Sequence, residues 1–298
     1  MELFYKKGYD ITISVGEWLA SLAGTLFPHV GVTRCDTLRD IIDQPYRLYD
    51  YVFLTPNYLA IRDHSILSYV LKHVIVRYKS SNATILAYDI WDIIGNALRP
   101  EVGFFNAHMF DNSLGLLKNH LSIFNDISED EILRLAYSHS GCDTTKPVIS
   151  EIFIFPFSGS RNKDYGLDNF LSLGKALEGV VPQTPIRFFV NARDQKRIDA
   201  SVRECFRFES RSLLELVEVF SRDILVISND SGPAHLAAYY DANTITLFGP
   251  TLAERYRPIG SGCHVSIASQ SKIVQDITVD QILHAAKNSY RFNKKLVP

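Results

Sequence analysis

Two apolar rhythms alternate along this chain. Short runs dense in β-branched and aromatic residues have the length and composition of strands: YDITISV (9–15), YDYVFLT (49–55), ATILAY (83–88), EIFIFPF (151–157), IRFFVNA (186–192), DILVISND (223–230) and NTITLFGP (243–250). Between them, apolar positions recur three to four residues apart and predict helices. These are EWLASLAGTLF (17–27), SILSYVLKHV (65–74), SLGLLKNHLSIF (113–124), EDEILRLAYSH (129–139), LDNFLSLGKALEG (167–179), QKRIDASVREC (195–205), SLLELVEVFSR (212–222) and GPAHLAAYY (232–240). Thr278 with Gln281 forms a capping-box start for a last helix, VDQILHAAKNSY (279–290). Strand and helix signals in alternation predict an α/β fold with mostly parallel sheets. The polar, turn-forming SGCDTTKP (140–147) breaks the pattern. The expected organisation is a domain at 1–139, a linker at 140–150 and a second domain at 151–298. Two such domains would face each other across a cleft, with ligands at the carboxyl ends of the parallel strands.

Composition narrows the class. With 298 residues, 46% of them hydrophobic, the chain can bury the cores of two ordinary domains. The net charge of -2 gives no electrostatic case for nucleic acid. Up to Lys146 the charge is -4 and beyond it +2, so the second half is the better home for an anionic ligand. Cys35, Cys142, Cys205 and Cys263 are far apart, with no CxxC or Cys/His cluster. They read as reduced thiols and not as a disulfide framework or a metal site. No apolar run approaches the roughly 18 residues that span a bilayer. MELFYKKGYD lacks the apolar centre of a signal peptide. A cytoplasmic protein is expected. YRFNKK (290–295) is a candidate basic contact with the inner membrane face, against the plainer reading of a solvated tail.

Candidate chemistry concentrates at strand ends in the second half. In NDSGPAH, Asp230 or Ser231 can cap a helix, with Pro233 near its first position, where the missing N–H costs nothing. A helix start with a close-approach glycine is also an anion site, through the amides around Ser231, Gly232 and Ala234. Asp230 beside it can accept hydrogen bonds from sugar hydroxyls. His235, one turn inside, is a phosphate donor or a structural residue. LFGPT ends the next strand, so Gly249, Pro250 and Thr251 share a rim with Asp230. FPFSGSRNKDYG (155–166) is a Ser/Gly loop that does not match GxxxxGK[ST]. In it Ser158 and Ser160 are candidate phosphate donors and Lys163 a point charge for a diphosphate. VNARDQ (190–195) leaves another strand, where Asp194 or Gln195 can hold a ribose hydroxyl.

From about Glu151 to Val265 the sequence resembles glycosyltransferase family 9, the heptosyltransferases of lipopolysaccharide assembly. NDSGPAHLAAYYDANTITLFGPT (229–251) carries the likeness, with SRSLLELVEVFSR before it and RYRPIG after it. The resemblance implies a GT-B fold, two Rossmann-like domains facing across a cleft, with a nucleotide-sugar donor bound mainly by the second. Position by position, it implies that Asp230 contacts the donor sugar, and that Ser231 and Gly232 contact the diphosphate. His235 would support that loop, Lys163 would be the diphosphate lysine, and Asp194 or Gln195 the ribose-binding residue. Tyr165 stands where the family often has Trp. In the first half, YDITISVGEWLASLAGTLFPHV resembles the family's second βα unit. That alignment leaves the first domain lacking its first βα unit, with its Gly-Asp loop and catalytic base. The other register makes SVGEW that loop, with Glu17 as the base.

The implied reaction is inverting transfer of a sugar, heptose by the family's habit, from a nucleoside diphosphate to a lipid-linked or surface-glycan acceptor. No cofactor and no metal are expected. Two other readings compete: a non-catalytic sugar-nucleotide-binding protein without the Gly-Asp base loop, and a nucleotide-sugar epimerase. The epimerase pattern Asp-Ser-Gly-Gly is not met, because Pro233 follows Gly232.

Overall fold

A computed structural model describes residues 5–34, 49–54, 79–87, 146–199, 202 and 206–292, with 49–54 and 79–87 as backbone alone. The chain divides into two compact units, Met1–Phe110 and Asp111–Pro298. In the first, β1 (Thr12–Val15) leads through α1 (Glu17–Leu26) to β2 (Gly31–Arg34). β1 and β2 pair in parallel, Thr12 opposite Gly31, which makes a βαβ unit. Ala20, Leu22 and Ala23 of α1 are buried. A second parallel pair joins β3 (Tyr49–Leu54) to β4 (Lys79–Ala87). The helices expected at 65–74, 113–124 and 129–139 lie outside the described residues, as does the linker up to residue 145.

The second unit is built on a fully parallel six-stranded sheet. A short strand, β5 (Val148–Ile149), precedes it at the end of the expected linker. Its strands are β6 (Glu151–Phe155), β7 (Ile186–Val190), β8 (Phe208–Ser210), β9 (Ile224–Asn229), β10 (Asn243–Phe248) and β11 (His264–Ala268). They lie in the order β11-β10-β9-β6-β7-β8. The chain therefore winds outward from β6 to one edge, returns to β9, and winds outward to the other. This doubly wound order leaves a crevice outside the carboxyl ends of β6 and β9, where the winding reverses.

Both faces of the central strands are covered, which is why they read as continuous apolar runs. On one face, Ile152, Ile154, Phe188, Leu225, Ile227, Ile245 and Leu247 pack with α2 (Leu167–Val180) and α5 (Val279–Ser289). On the other, the rings of Phe153, Phe155, Phe189 and Phe220 cluster, and small residues of α4 (Gly232–Tyr239) approach β9 and β10. The expected capping box is formed: Thr278 Oγ1 accepts from Gln281 N at 3.2 Å, and Gln281 Oε1 accepts from Thr278 N at 2.7 Å.

Several elements differ from their sequence pattern. β8 and β11 carry no strong strand signal because they are short edge strands, largely half-exposed, in which apolar residues do not form a continuous run. Arg187 ties β8 in, ion-paired to Glu151 on β6 and to Glu209 at 3.3 Å. The helix expected over 195–205 is preceded by a 3₁₀ turn, Ala192–Arg197, capped by Asn191 Oδ1 on Asp194 N at 3.1 Å; Val202 is helical, and 200–201 and 203–205 lie outside the described residues. The helix expected over 212–222 is regular only over α3 (Leu213–Val217), and the chain then turns to bury Phe220 among the aromatic rings. Tyr290 is not part of a solvated tail: it is 2% exposed, and its hydroxyl donates to Thr244 O and Cys263 O. β12 (Arg291–Phe292) follows it and pairs with β5. Cys263 is buried and disulfide-bonded, against the expectation of four reduced thiols, since distance along the chain does not limit proximity in the fold. The other three cysteines lie outside the described residues.

His264, at the start of β11, shares a 3.0 Å hydrogen bond between its Nδ1 and Thr244 Oγ1. Burial pulls its pKa down from 6.5 to about 4. The folded state therefore resists a proton that the unfolded chain takes up below pH 6.5. Stability is complete above that pH and falls as pH drops toward 4, by on the order of 3 kcal/mol. Urea denaturation of His264→Asn should show a weaker loss between pH 7 and pH 4.5 than the unmodified chain; parallel curves would exclude His264 as the cause.

Candidate functional site

Four neighbouring strands, β7, β6, β9 and β10, end at one edge, and each delivers one expected residue. Asp230 follows β9, Lys163 lies on the loop after β6, Thr251 follows β10, and Asp194 lies on the turn after β7. The first three meet. Asp230, only 6% exposed, accepts from Lys163 Nζ at 2.8 Å and from Thr251 Oγ1 at 2.8 Å, both on Oδ2. Its Oδ1 faces His235 Nε2 at 3.9 Å, an electrostatic contact too long for a hydrogen bond. Burial works against the charged form of Asp230. His235, the bonds from Lys163 and Thr251, and the Lys163 charge outweigh it and hold the carboxyl below the usual aspartate range.

Lys163 reaches Asp230 because its loop is tightly held. The loop from Pro156 to Tyr165 contains one 3₁₀ turn, Arg161–Lys163. Ser158 Oγ donates to Ser160 O at 2.7 Å, and Ser160 Oγ donates to Asn162 Oδ1 at 2.6 Å. Both hydroxyls expected on phosphate are thus engaged within the loop. Asp164, buried, accepts from Ser158 N at 2.7 Å and from Arg197 at 2.9 Å. Arg197 also reaches Asp194 Oδ1 at 3.3 Å and lies 3.8 Å over the Phe157 ring, so it joins the β6 loop to the β7 turn. Asp194 is 8% exposed and its Oδ2 lacks a hydrogen-bond partner, while Gln195 follows on the same turn.

The rim at α4 differs in detail from its sequence reading. Ser231 stands at the N-cap position in extended conformation, but its hydroxyl makes no capping bond and is buried without a partner. Ala234 N donates to Ser231 O at 3.1 Å, so that amide is not free for a ligand. A Cβ built on Gly232 would meet nothing within 4 Å, and Gly232 itself is exposed. Gly249 is the opposite case: its Cβ would stand 2.6 Å from Val274 N. That glycine allows close packing of the β10 exit against the 3₁₀ turn Val274–Asp276. Glu17 belongs to the first unit. It opens α1 at the carboxyl end of β1, exposed and ion-paired to Arg34 at 2.7 Å. Among the described residues, no group of three His, Cys, Asp or Glu is placed to hold a metal ion, and no helix is long and apolar enough to cross a membrane.

Sequence reasoning missed Asn229, Asp164, Arg197 and Gln275. Asn229 had a signal, a polar residue ending an apolar strand, but the others act through contacts that only the fold creates.

A family model for glycosyltransferase family 9 (heptosyltransferase) matches residues 109–279, more than half of the chain and all of this rim. The chain belongs to glycosyltransferase family 9. The match reaches further toward the N-terminus than the motif-rich stretch from Glu151. The fold agrees with solved structures. E. coli heptosyltransferase WaaC with ADP superposes with a TM-score of 0.65 at 13% identity, covering 95% of this chain and 91% of that one. A family 9 glycosyltransferase from Veillonella parvula gives 0.59 at 14% identity, over 94% and 88%. E. coli ADP-heptose lps heptosyltransferase II gives 0.58 at 14% identity, over 94% and 89%. No curated protein matches the chain. The mixed α/β, parallel-sheet fold is therefore that of the family 9 heptosyltransferases.

The two glycines of this family 9 rim should respond oppositely to substitution. Gly249→Ala must push the Val274 backbone aside and should lower stability by about 1–3 kcal/mol. Gly232→Ala should leave stability nearly unchanged. Thermal melting of both variants checks the pair, and equal melting temperatures would contradict the close contact at Gly249.

Proposed function

We propose that this family 9 glycosyltransferase moves a sugar from a nucleoside-diphosphate donor to a surface-glycan acceptor with inversion at the anomeric carbon. The carrying observation is the Lys163–Asp230–Thr251 cluster beside the open start of α4, at the crevice where the sheet winding reverses. A carboxylate for sugar hydroxyls and a cation for phosphate stand side by side there. Lys163 has three N–H donors and gives one to Asp230, leaving two for a diphosphate. Gly232 leaves room for phosphate oxygens at the positive end of the α4 dipole. Two of the similar proteins are an ADP complex and an ADP-heptose transferase, which supports an ADP-linked heptose as donor.

In this reading an acceptor hydroxyl attacks the anomeric carbon, its proton passes to a carboxylate of the first unit, and the nucleoside diphosphate leaves from the opposite face. Lys163 and the helix start take up the negative charge that develops on the leaving diphosphate. Asp194, at the adjoining strand end with an Oδ2 that makes no hydrogen bond and only a 3.5 Å ion pair to Arg193, serves the ribose hydroxyls. Ser231, with its unpartnered hydroxyl, serves the diphosphate. Glu17, at a strand's carboxyl end, is the candidate base. The reaction uses no cofactor, and the acceptor is a lipid-linked glycan met at the membrane's inner face.

Calorimetric titration with ADP tests the donor side. Lys163→Ala should weaken binding by about tenfold or more, the range of a lost charge-assisted bond. Unchanged affinity would remove Lys163 from the site. Glu17→Gln should leave ADP affinity intact and lower sugar transfer by about 10²–10⁴-fold, as loss of a general base does. Undiminished transfer would exclude Glu17 as the base. Donor binding without transfer or hydrolysis by the unmodified chain would favour a binding protein.

A further inference from the structure

Lys163 sits on an eight-residue connection, 157–164, whose regular structure is one 3₁₀ turn. A single buried side chain closes that connection at both ends. Asn229, 0% exposed, donates from Nδ2 to Pro156 O at 3.0 Å, where the loop leaves β6. Its Oδ1 accepts from Tyr165 N at 2.9 Å, where the loop returns. The Tyr165 ring behind that amide is 1% exposed and packs edge-on against Phe170, so the return point is anchored in the core. Asn229 is also the residue next to Asp230. One amide therefore sets the distance between the strand that carries the carboxylate and the loop that carries the cation.

A second tie comes from the far side. Gln275 Nε2 donates to Asp164 O, and Gln275 belongs to the 3₁₀ turn that presses on Gly249. Gln275 is exposed and can be changed without opening the core. Aspartate at this position would lose the donor and serine the reach, so neither reproduces both Asn229 bonds.

We propose that Asn229 is a positioning residue: by clamping both ends of the 156–165 loop it places Lys163 against Asp230 and so presents the ammonium to the donor's diphosphate. Gln275 supports the same placement from outside. The proposal rests on the reading of Lys163 as a diphosphate ligand, and one of its measurements does not.

The first measurement is ADP affinity by calorimetry in a double-mutant cycle. Asn229→Ser should weaken ADP binding by about tenfold in the unmodified chain and by less than about twofold in a Lys163→Ala background. Gln275→Ala should weaken it about threefold and be silent in the same background. Equal losses in both backgrounds would mean that Asn229 acts through general packing, and would overturn the proposal. The second measurement needs no ligand. NMR titration of the Asp230 carboxyl carbon should show it moving up toward the ordinary aspartate range in Asn229→Ser and, less, in Gln275→Ala. Lys163 is then no longer held at 2.8 Å, while Thr251 and His235 still face the carboxylate. An unmoved titration overturns the clamp. A moved titration in a chain that binds no ADP upholds the clamp and overturns the diphosphate reading alone. Gln275→Ala carries both tests if Asn229→Ser fails to fold, as judged by circular dichroism.

Discussion

A carboxylate at 6% exposure cannot stay charged without close partners, and the arrangement of this rim follows from that requirement. Asp230 leaves β9 into a space closed by α4 on one side and the β6 loop on the other. Lys163 and Thr251 both bond the same oxygen, from two different loops. The pair is not an isolated stabilising contact: its desolvation cost is met only because the loop carrying Lys163 is held independently. The surrounding polar residues, Asn229, Asp164, Arg197 and Gln275, are spent on that loop.

The sheet supplies the geometry. Parallel strands all present their carboxyl ends on one side, and the reversal of winding between β6 and β9 keeps connections from crossing there. Loops from four adjacent strands can then converge without any long excursion. Close packing completes the rim, since Gly249 lets the β10 exit lie against Val274, whose 3₁₀ turn also carries Gln275. Two loops that flank the carboxylate thus lean on one support.

The same logic explains the division of labour among the hydroxyls. Ser158 and Ser160 shape the loop, whereas Ser231 stays buried and unpartnered at the helix start, beside the open face of Gly232. The hydroxyls of the β6 loop are committed to holding the scaffold, and that of Ser231 is not. Gly232 and Gly249, alike in the sequence motif, fall on opposite sides of that division.

Much of this was legible in the residues themselves. The central strands could be read because burial on both faces demands unbroken apolar runs, and the capping box at Thr278 because it is a local bond pattern. The paired Gly-Pro ends marked the rim, since parallel winding places successive strand ends together. β8 and β11 escaped because an edge strand, half-exposed and short, needs no unbroken apolar run. The start of the helix at 195 was misplaced because Asn191 caps a 3₁₀ turn there, and the helix at 212 was overstated because the aromatic cluster around Phe220 overrides local periodicity. Chain order alone determined which loops would meet at the rim. Only the tertiary structure decided that Lys163 neutralises Asp230, that one amide from Asn229 closes the loop, and that Arg197 spans two carboxylates. Those bonds join residues between 3 and 73 positions apart, where direction and burial, not spacing, set the contact.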